Sequence, residues 1–228
     1  AAQDKSRERL TPYDCGAVGD GITDDRSALQ KADAAAFAQG KAVWFPYGTF
    51  LVSAAITGLK ASWIGENGHL IKASDTLVLN GPGMLEWAAG SDGVEIRGLN
   101  VDFNNRTCTV GSEPVLAVGA SSNFVIEGCT VINMTGSGIA ANGARAFSIS
   151  GNTIKKAAYA NTYNQAILIS SSPRQSNNGT ITAFLSGQVP MIATGNVVAA
   201  AILARNPAKK PETKFLIKNS PCYIGMNK

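Results

Sequence analysis

An all-β fold built as a parallel β-helix, a solenoid of stacked coils closed at its N-terminal end by one capping α-helix, is what this sequence predicts. Three observations carry the prediction. Glycine supplies 24 of the 228 residues and charged side chains only 16%, a turn-rich composition unlike that of a helical bundle. Helical periodicity occurs once, near the N-terminus. Beyond it a strand, glycine, strand pattern recurs along the chain, and recurrence of this kind marks a solenoid.

The elements follow in order. Residues 1–12 are charged and polar and read as an N-terminal junction, with 13–228 as a single domain, since 228 residues at 45% apolar suffice for one sizeable core. Thr23, Asp24 and Asp25 offer capping oxygens ahead of Ala28, Leu29, Ala32, Ala35, Ala36 and Phe37. That spacing is helical and predicts a helix over about 24–39, ending near Gly40. AVWFPYGTFLVS then gives two apolar runs about a Pro-Tyr-Gly turn, and strand-length segments separated by Gly, Ser and Asn follow. VEIRGLNVDF, FVIEGCTVIN, FSISGNTIKK and MIATGNVVAA share one pattern, with Gly98, Gly128, Gly151 and Gly195 at intervals of 30, 23 and 44 residues. Each is expected to be one coil. Ile96, Ile126, Ile149 and Ala193 would stack inward, Val101, Val131, Ile154 and Val198 would form a second row, and Asn152 and Asn196 would stack as side-chain amides. A sandwich of hairpins would call for paired Asn-Gly or Asp-Gly turns that these repeats lack. The last stretch, PETKFLIKNSPCYIGMNK, reads as a further coil that stops abruptly, so the chain is expected to be a fragment.

Composition also excludes several function classes. No apolar run approaches 18 residues, and the charged N-terminus is no signal peptide, so neither membrane insertion nor an export signal is expected in the chain as given. Cys15, Cys108, Cys129 and Cys222 lack zinc-type spacing; buried free thiols are expected, one bridge remaining open, with no metal and no cofactor. Charge is unevenly distributed: residues 1–127 hold 15 acidic against 10 basic residues, and 128–228 hold 10 basic against Glu212 alone. Between Glu127 and Glu212 lie only cations, which suits an anionic partner, while a solvated surface of drifting sign accounts for them as well. Their dispersal, with little aromatic interleaving, argues against nucleic acid.

TPYDCGAVGDGITDDRSALQKADAAA followed by KAVWFPYGTFLVS closely resembles the N-terminal motif of the pectin-lyase-like superfamily. The resemblance covers about forty residues and departs chiefly at Cys15, where the family usually has an aromatic. It implies a right-handed coil, and it implies that Asp20, Asp24 and Asp25 tie turns and cap the helix. DKSRERLTPYD is similar to the junction of phage tailspikes. That likeness implies a homotrimer on a virion tail or otherwise extracellular, acting on a bacterial polysaccharide. Family enzymes include lyases, glycoside hydrolases and epimerases, so the fold leaves chemistry open.

Family catalytic motifs are absent: the polygalacturonase Gly-His-Gly, the epimerase Asp-Pro-His-Glu and the pectate-lyase Arg-x-Pro-x-x-Arg. His69, the sole histidine, is expected in a surface or turn role. By resemblance the groove lies on the sheet that follows the longest turn, here the strands near 114–120, 138–144 and 165–171. Their leading turns supply Glu113, Ser137, Tyr159, Asn161, Tyr163, Asn164 and Gln165, and Arg145 and Arg174 lie at the trailing ends. A glycosidase needs two carboxylates roughly 5–10 Å apart, and only Glu113 is acidic there, so hydrolysis would use Asp102 or Glu113 with a carboxylate from elsewhere. Arg97 and Glu127, at one repeat position, are expected to pair across coils. Elimination on a uronic acid would use Tyr159 or Tyr163 as base, with Arg145 and Arg174 beside the sugar carboxylate and Asn161 and Gln165 as binding groups. A non-catalytic carbohydrate-receptor-binding module is the third reading.

Overall fold

The computed structural model describes residues 9–110, 113–156, 166–170, 177–182, 185–187, 191–194, 196–200 and 215–218. From Val43 onward the backbone climbs in parallel coils whose main strands build three seven-stranded sheets. The first coil holds β2 (Val43–Phe45), β3 (Gly48–Val52) and β4 (Ile56–Leu59). The second holds β5 (Trp63–Gly65), β6 (His69–Ala73), a short β7 (Val78–Leu79) and β8 (Leu85–Trp87). In the third are β9 (Glu95–Arg97), β10 (Asn100–Asp102), a short β11 (Thr107–Cys108) and β12 (Pro114–Val118). The fourth contains β13 (Val125–Glu127), β14 (Thr130–Met134) and β15 (Ser137–Asn142), and the fifth β16 (Ser148–Ser150), β17 (Thr153–Lys156) and β18 (Ile167–Ser170). β19 (Asn177–Thr182), β20 (Leu185–Gly187) and β21 (Met191–Thr194) make the sixth, and β22 (Asn196–Ala200) and β23 (Phe215–Lys218) belong to a seventh.

Register explains the repeats. Ile96, Ile126 and Ile149 are Cα partners in the first sheet, and Val101, Val131 and Ile154 in the second, so like residues stack in the core; the backbone register of the first row continues to Ile181. Between these strands Gly98, Gly128 and Gly151 turn the corner at φ of 61°, 64° and 63°. The N–H of Gly98 donates to the Glu127 carbonyl and that of Gly128 to the Ser150 carbonyl, so the left-handed corner is itself a ladder. The fourth repeat is corrected. The strands expected to flank a corner in that repeat are out of phase: Ala193 pairs with Ile169 in the third sheet, and Val198 pairs with Thr180 in the first. Ile181 occupies the place expected of Ala193, and Ser186 the place expected of Val198. Asn196 accordingly pairs with Asn177 and does not stack on Asn152. Asn152 is buried and bridges coils alone, its Oδ1 accepting from Cys129 N and its Nδ2 donating to the Ile126 carbonyl.

A coil stack presents open strand edges at its ends, and the N-terminal segment closes this one. Leu10 bridges to Val43, β1 (Asp20–Asp24) pairs with β3, and α1 (Arg26–Ala38) packs against β4 with Leu29, Ala32 and Ala36 fully buried. The helix thus lies within its expected span. Asp25 stands at its N-cap but caps nothing with its side chain: the carboxylate is buried and accepts from Val18 N at 2.6 Å and Gly19 N at 3.1 Å. Its neighbour Asp24 takes the Arg26 N–H and ties Ser53, while Asp20 holds the Ile22 and Thr23 N–H groups. Beneath the cap, Phe45, Phe50, Trp63 and Trp87 are fully buried, with ring centroids 4.9 Å apart for Phe45 and Trp63 and 5.4 Å for the two tryptophans. Burying each such ring stabilises the fold by about 1.5–3 kcal/mol. Among the described residues no helix is long and apolar enough to cross a membrane.

Candidate functional site

The third sheet orders β4, β8, β12, β15, β18, β21 and β23, so the strands assigned to the groove stack on one face. Leu85, Leu116, Ile139 and Ile167 share one inward row. Alternation then sends the next residue of each strand outward: Glu86, Ala117, Ala140 and Leu168. Ala117 and Ala140 are only 5% and 1% exposed, a recessed stretch between half-buried Glu86 and Leu168. On the leading side the long turns of the second and third coils pair through β7 and β11, forming a wall that leaves Val78 and Val110 exposed. The trailing side stacks Asp92, Ser122 and Arg145 on successive coils: Ser122 N donates to the Asp92 carboxylate, Ser122 bridges to Arg145, and Arg145 is exposed.

Glu113 and Ser137 are adjacent at the head of this face, the Ser137 N–H donating to the Glu113 carbonyl at 3.0 Å. Both are buried. The Glu113 carboxylate turns back into its own loop and accepts from Val110 N at 2.8 Å and Thr109 Oγ1 at 3.3 Å. The Ser137 hydroxyl has no hydrogen-bond partner among the described residues. Asp102 lies elsewhere, on the second sheet, where Oδ1 accepts from Asn104 N at 2.7 Å and Asn133 Nδ2 at 2.8 Å. Asp102 and Glu113 therefore end up on different sheets, each engaged by its own turn. Tyr159, Asn161, Tyr163, Asn164, Gln165 and Arg174 fall outside the described residues.

Two expectations about other groups are settled. Arg97 is hydrogen-bonded to Glu95 at 2.9 Å and ion-paired with Glu127 on the next coil, on the outer face of the first sheet. His69 is neither at the surface nor in the turn: it opens strand β6, directly after the turn at 67–68, and is 3% exposed with its ring against Gly65. The thiols of Cys15, Cys108 and Cys129 are free, and burial raises Cys108 to about 11 and Cys129 to about 12. Cys222 lies outside the described residues. Among those residues no group of acidic, histidine or cysteine side chains is arranged to hold a metal ion.

Sequence reasoning missed Glu86 and Asn142 on the candidate face. Glu86 stands between the buried Leu85 and Trp87, an alternation visible in the sequence, and its Oε2 accepts from Gly83 N at 2.8 Å. Asn142 pairs with Ser170 at the trailing end of the face. Neither lies in a glycine repeat, so the repeat alone did not place them.

Residues 13–183 match the profile of the family described as rhamnogalacturonase A/epimerase, pectate lyase-like. Among curated proteins, the chain is similar to the plasmin and fibronectin-binding protein A of Streptococcus pneumoniae, 31% identical over 152 residues, covering 53% of this chain and 20% of the relative. It is also similar to the pre-neck appendage protein of Bacillus phage phi29, 31% identical over 122 residues, covering 50% of this chain and 13% of the relative. The chain thus spans a fifth or less of these relatives. Among solved structures it resembles the mannuronan C-5 epimerase AlgE4 A-module of Azotobacter vinelandii, with a TM-score of 0.64, 22% identity, and coverage of 83% of this chain and 64% of that one. The S. pneumoniae adhesin PfbA gives a TM-score of 0.62 at 20% identity, covering 95% and 57% of the two chains. At these identities the structural likeness speaks for the fold alone.

Proposed function

The chain belongs to the rhamnogalacturonase A/epimerase, pectate lyase-like family, and from that premise we propose that it binds a polysaccharide along the outer face of its third sheet. One observation carries the reading: four strands in register set the small, recessed Ala117 and Ala140 between Glu86 and Leu168, walled by the paired turns at β7 and β11 and edged by Asp92 and Arg145. An extended glycan fits such a trough because its repeat runs along the stacking axis, where coils succeed one another every ~4.8 Å. Arg145 at the rim suits an anionic sugar, and Arg174, Asn161 and Gln165 join it as proposed binding residues. Similarity to a phage appendage protein and a surface adhesin supports a virion or extracellular setting; assembly as a homotrimer is part of the proposal on the ground of the tailspike-like junction at residues 1–12 alone.

Cleavage is the finer proposal, by lyase or glycoside hydrolase chemistry, with Tyr159, Tyr163, Asp102 and Glu113 as its candidate groups. The engaged carboxylates of Asp102 and Glu113 favour the non-catalytic reading, in which the module recognises a receptor glycan. Incubation with a panel of bacterial surface polysaccharides separates the three. Binding without change in glycan length supports the receptor module, shortening with ultraviolet absorbance of an unsaturated uronate supports a lyase, and shortening without it a hydrolase. No binding to any anionic or neutral glycan of the panel overturns the proposal.

A further inference from the structure

His69 spans two coils through both ring nitrogens. Its Nδ1 contacts the Glu66 carbonyl in the second coil, which makes Nδ1 the protonated nitrogen, and Nε2 accepts from the Asn100 N–H in the third coil at 3.0 Å. The Asn100 side chain closes the contact by donating to the His69 carbonyl at 3.4 Å. The ring fills the space at Gly65, where an added Cβ would lie 2.2 Å from His69 Cε1 and 2.4 Å from the Gly98 carbonyl. Nothing in this arrangement accommodates a second ring proton: a proton on Nε2 would face the Asn100 N–H, donor against donor.

We propose that His69 is an acid-sensitive catch between the second and third coils, holding them together while neutral and releasing the Asn100 amide when protonated. The charged and titratable groups around it are few. Glu66 lies on its own turn and is ion-paired with Arg9 from the N-terminal segment. Tyr47 borders Gly68 on the turn below, Lys72 lies further along β6 and Asp102 at the far end of β10, and Arg97 across the Gly98 corner is taken up by Glu95 and Glu127. Burial pushes the imidazole below its ordinary value, against the smaller opposing pull of the Glu66 carbonyl and carboxylate. A depressed histidine contributes stability that is present above the ordinary imidazole value and lost as pH falls through the folded one. The catch is therefore intact at neutral pH and weakens as pH falls below the ordinary imidazole value.

As the sole histidine, His69 gives an unambiguous imidazole resonance. In the full chain, its NMR titration should fall below the free-imidazole value of about 6.5. Over the same pH interval the exchange protection of the Asn100 amide should drop by about tenfold per unit below the folded value, while that of Thr130, bonded to the Leu99 carbonyl, holds. His69→Gln, which can keep one acceptor without titrating, should lose the pH dependence. Titration at or above the free value, or equal pH dependence at Asn100 and Thr130, overturns the proposal. Those two wild-type readouts decide it even where the variant fails to fold.

Discussion

Single positions carry much of this fold because the coils repeat one geometry with different side chains. Gly98 is left-handed, and an added Cβ would also lie 2.9 Å from the Gly65 carbonyl oxygen. Gly90 is left-handed at φ 81° with nothing within 4 Å of its would-be Cβ. Both Gly→Ala changes incur about 1–2 kcal/mol of backbone strain, but only Gly98→Ala adds a collision with main chain. Thermal melting should therefore rank Gly98→Ala clearly below Gly90→Ala, and equal losses would show that the corner relaxes freely. The thiols make a second comparison. With Cys108 raised to about 11 and Cys129 to about 12, alkylation of native protein near neutral pH should leave Cys129 unlabelled until the chain unfolds. Mass spectrometry of time points reads this directly.

At the scale of elements, the cap is tied to the first coils by its carboxylates. Asp33 on α1 is 5% exposed and accepts from Lys60 N, Ala61 N and Trp63 Nε1, joining the helix to the start of the second coil. Asp33→Ala would leave three donors without an acceptor, and a loss of about 3 kcal/mol in denaturant unfolding is expected. Acid should loosen the same end. Hydrogen bonds from Thr23 and then Ile22 lower the Asp20 carboxyl. For Asp24, burial raises the carboxyl, yet the hydroxyl of Ser53 and the N–H groups of Arg26 and Ser53 outweigh it and lower it overall. Lowered carboxylates contribute stability that is present above the unfolded value near 4 and lost as pH falls through the folded values. Asp33 runs the other way, since burial outweighs its donors and raises it, so its share is lost as pH rises. Asp20→Asn with Asp24→Asn should flatten the acid side of a Tm-against-pH curve, and an unchanged acid limb would remove these two groups from the account.

For the whole molecule, the proposed binding face leads to one test of place. Replacing Tyr159, Tyr163, Arg145 and Arg174 together by Ala should weaken polysaccharide affinity by well over tenfold and make what remains less sensitive to salt, because exposed cations contribute about 0.5–1 kcal/mol each and a tyrosine on a sugar ring about 1 kcal/mol. Arg145 is exposed, so its part of the change leaves the core untouched. A quadruple variant that binds like the parent would move the site to another sheet. The sequence by itself determined the solenoid, the cap and two stacked rows of the core, because spacing of β-branched residues about a corner glycine is a local property that register simply repeats. It also paired Arg97 with Glu127, which occupy one repeat position. Only the tertiary structure decided the phase of the sixth coil, where Met191–Thr194 mimics a first-sheet strand in composition but pairs in the third, since turns of unequal length shift the count without changing the residues. It likewise buried His69 and Glu113, engaged Asp102 with Asn133, and set Glu86 beside Ala117 of the next coil. Those outcomes depend on which residue of a neighbouring coil, some thirty positions away, stands above or below.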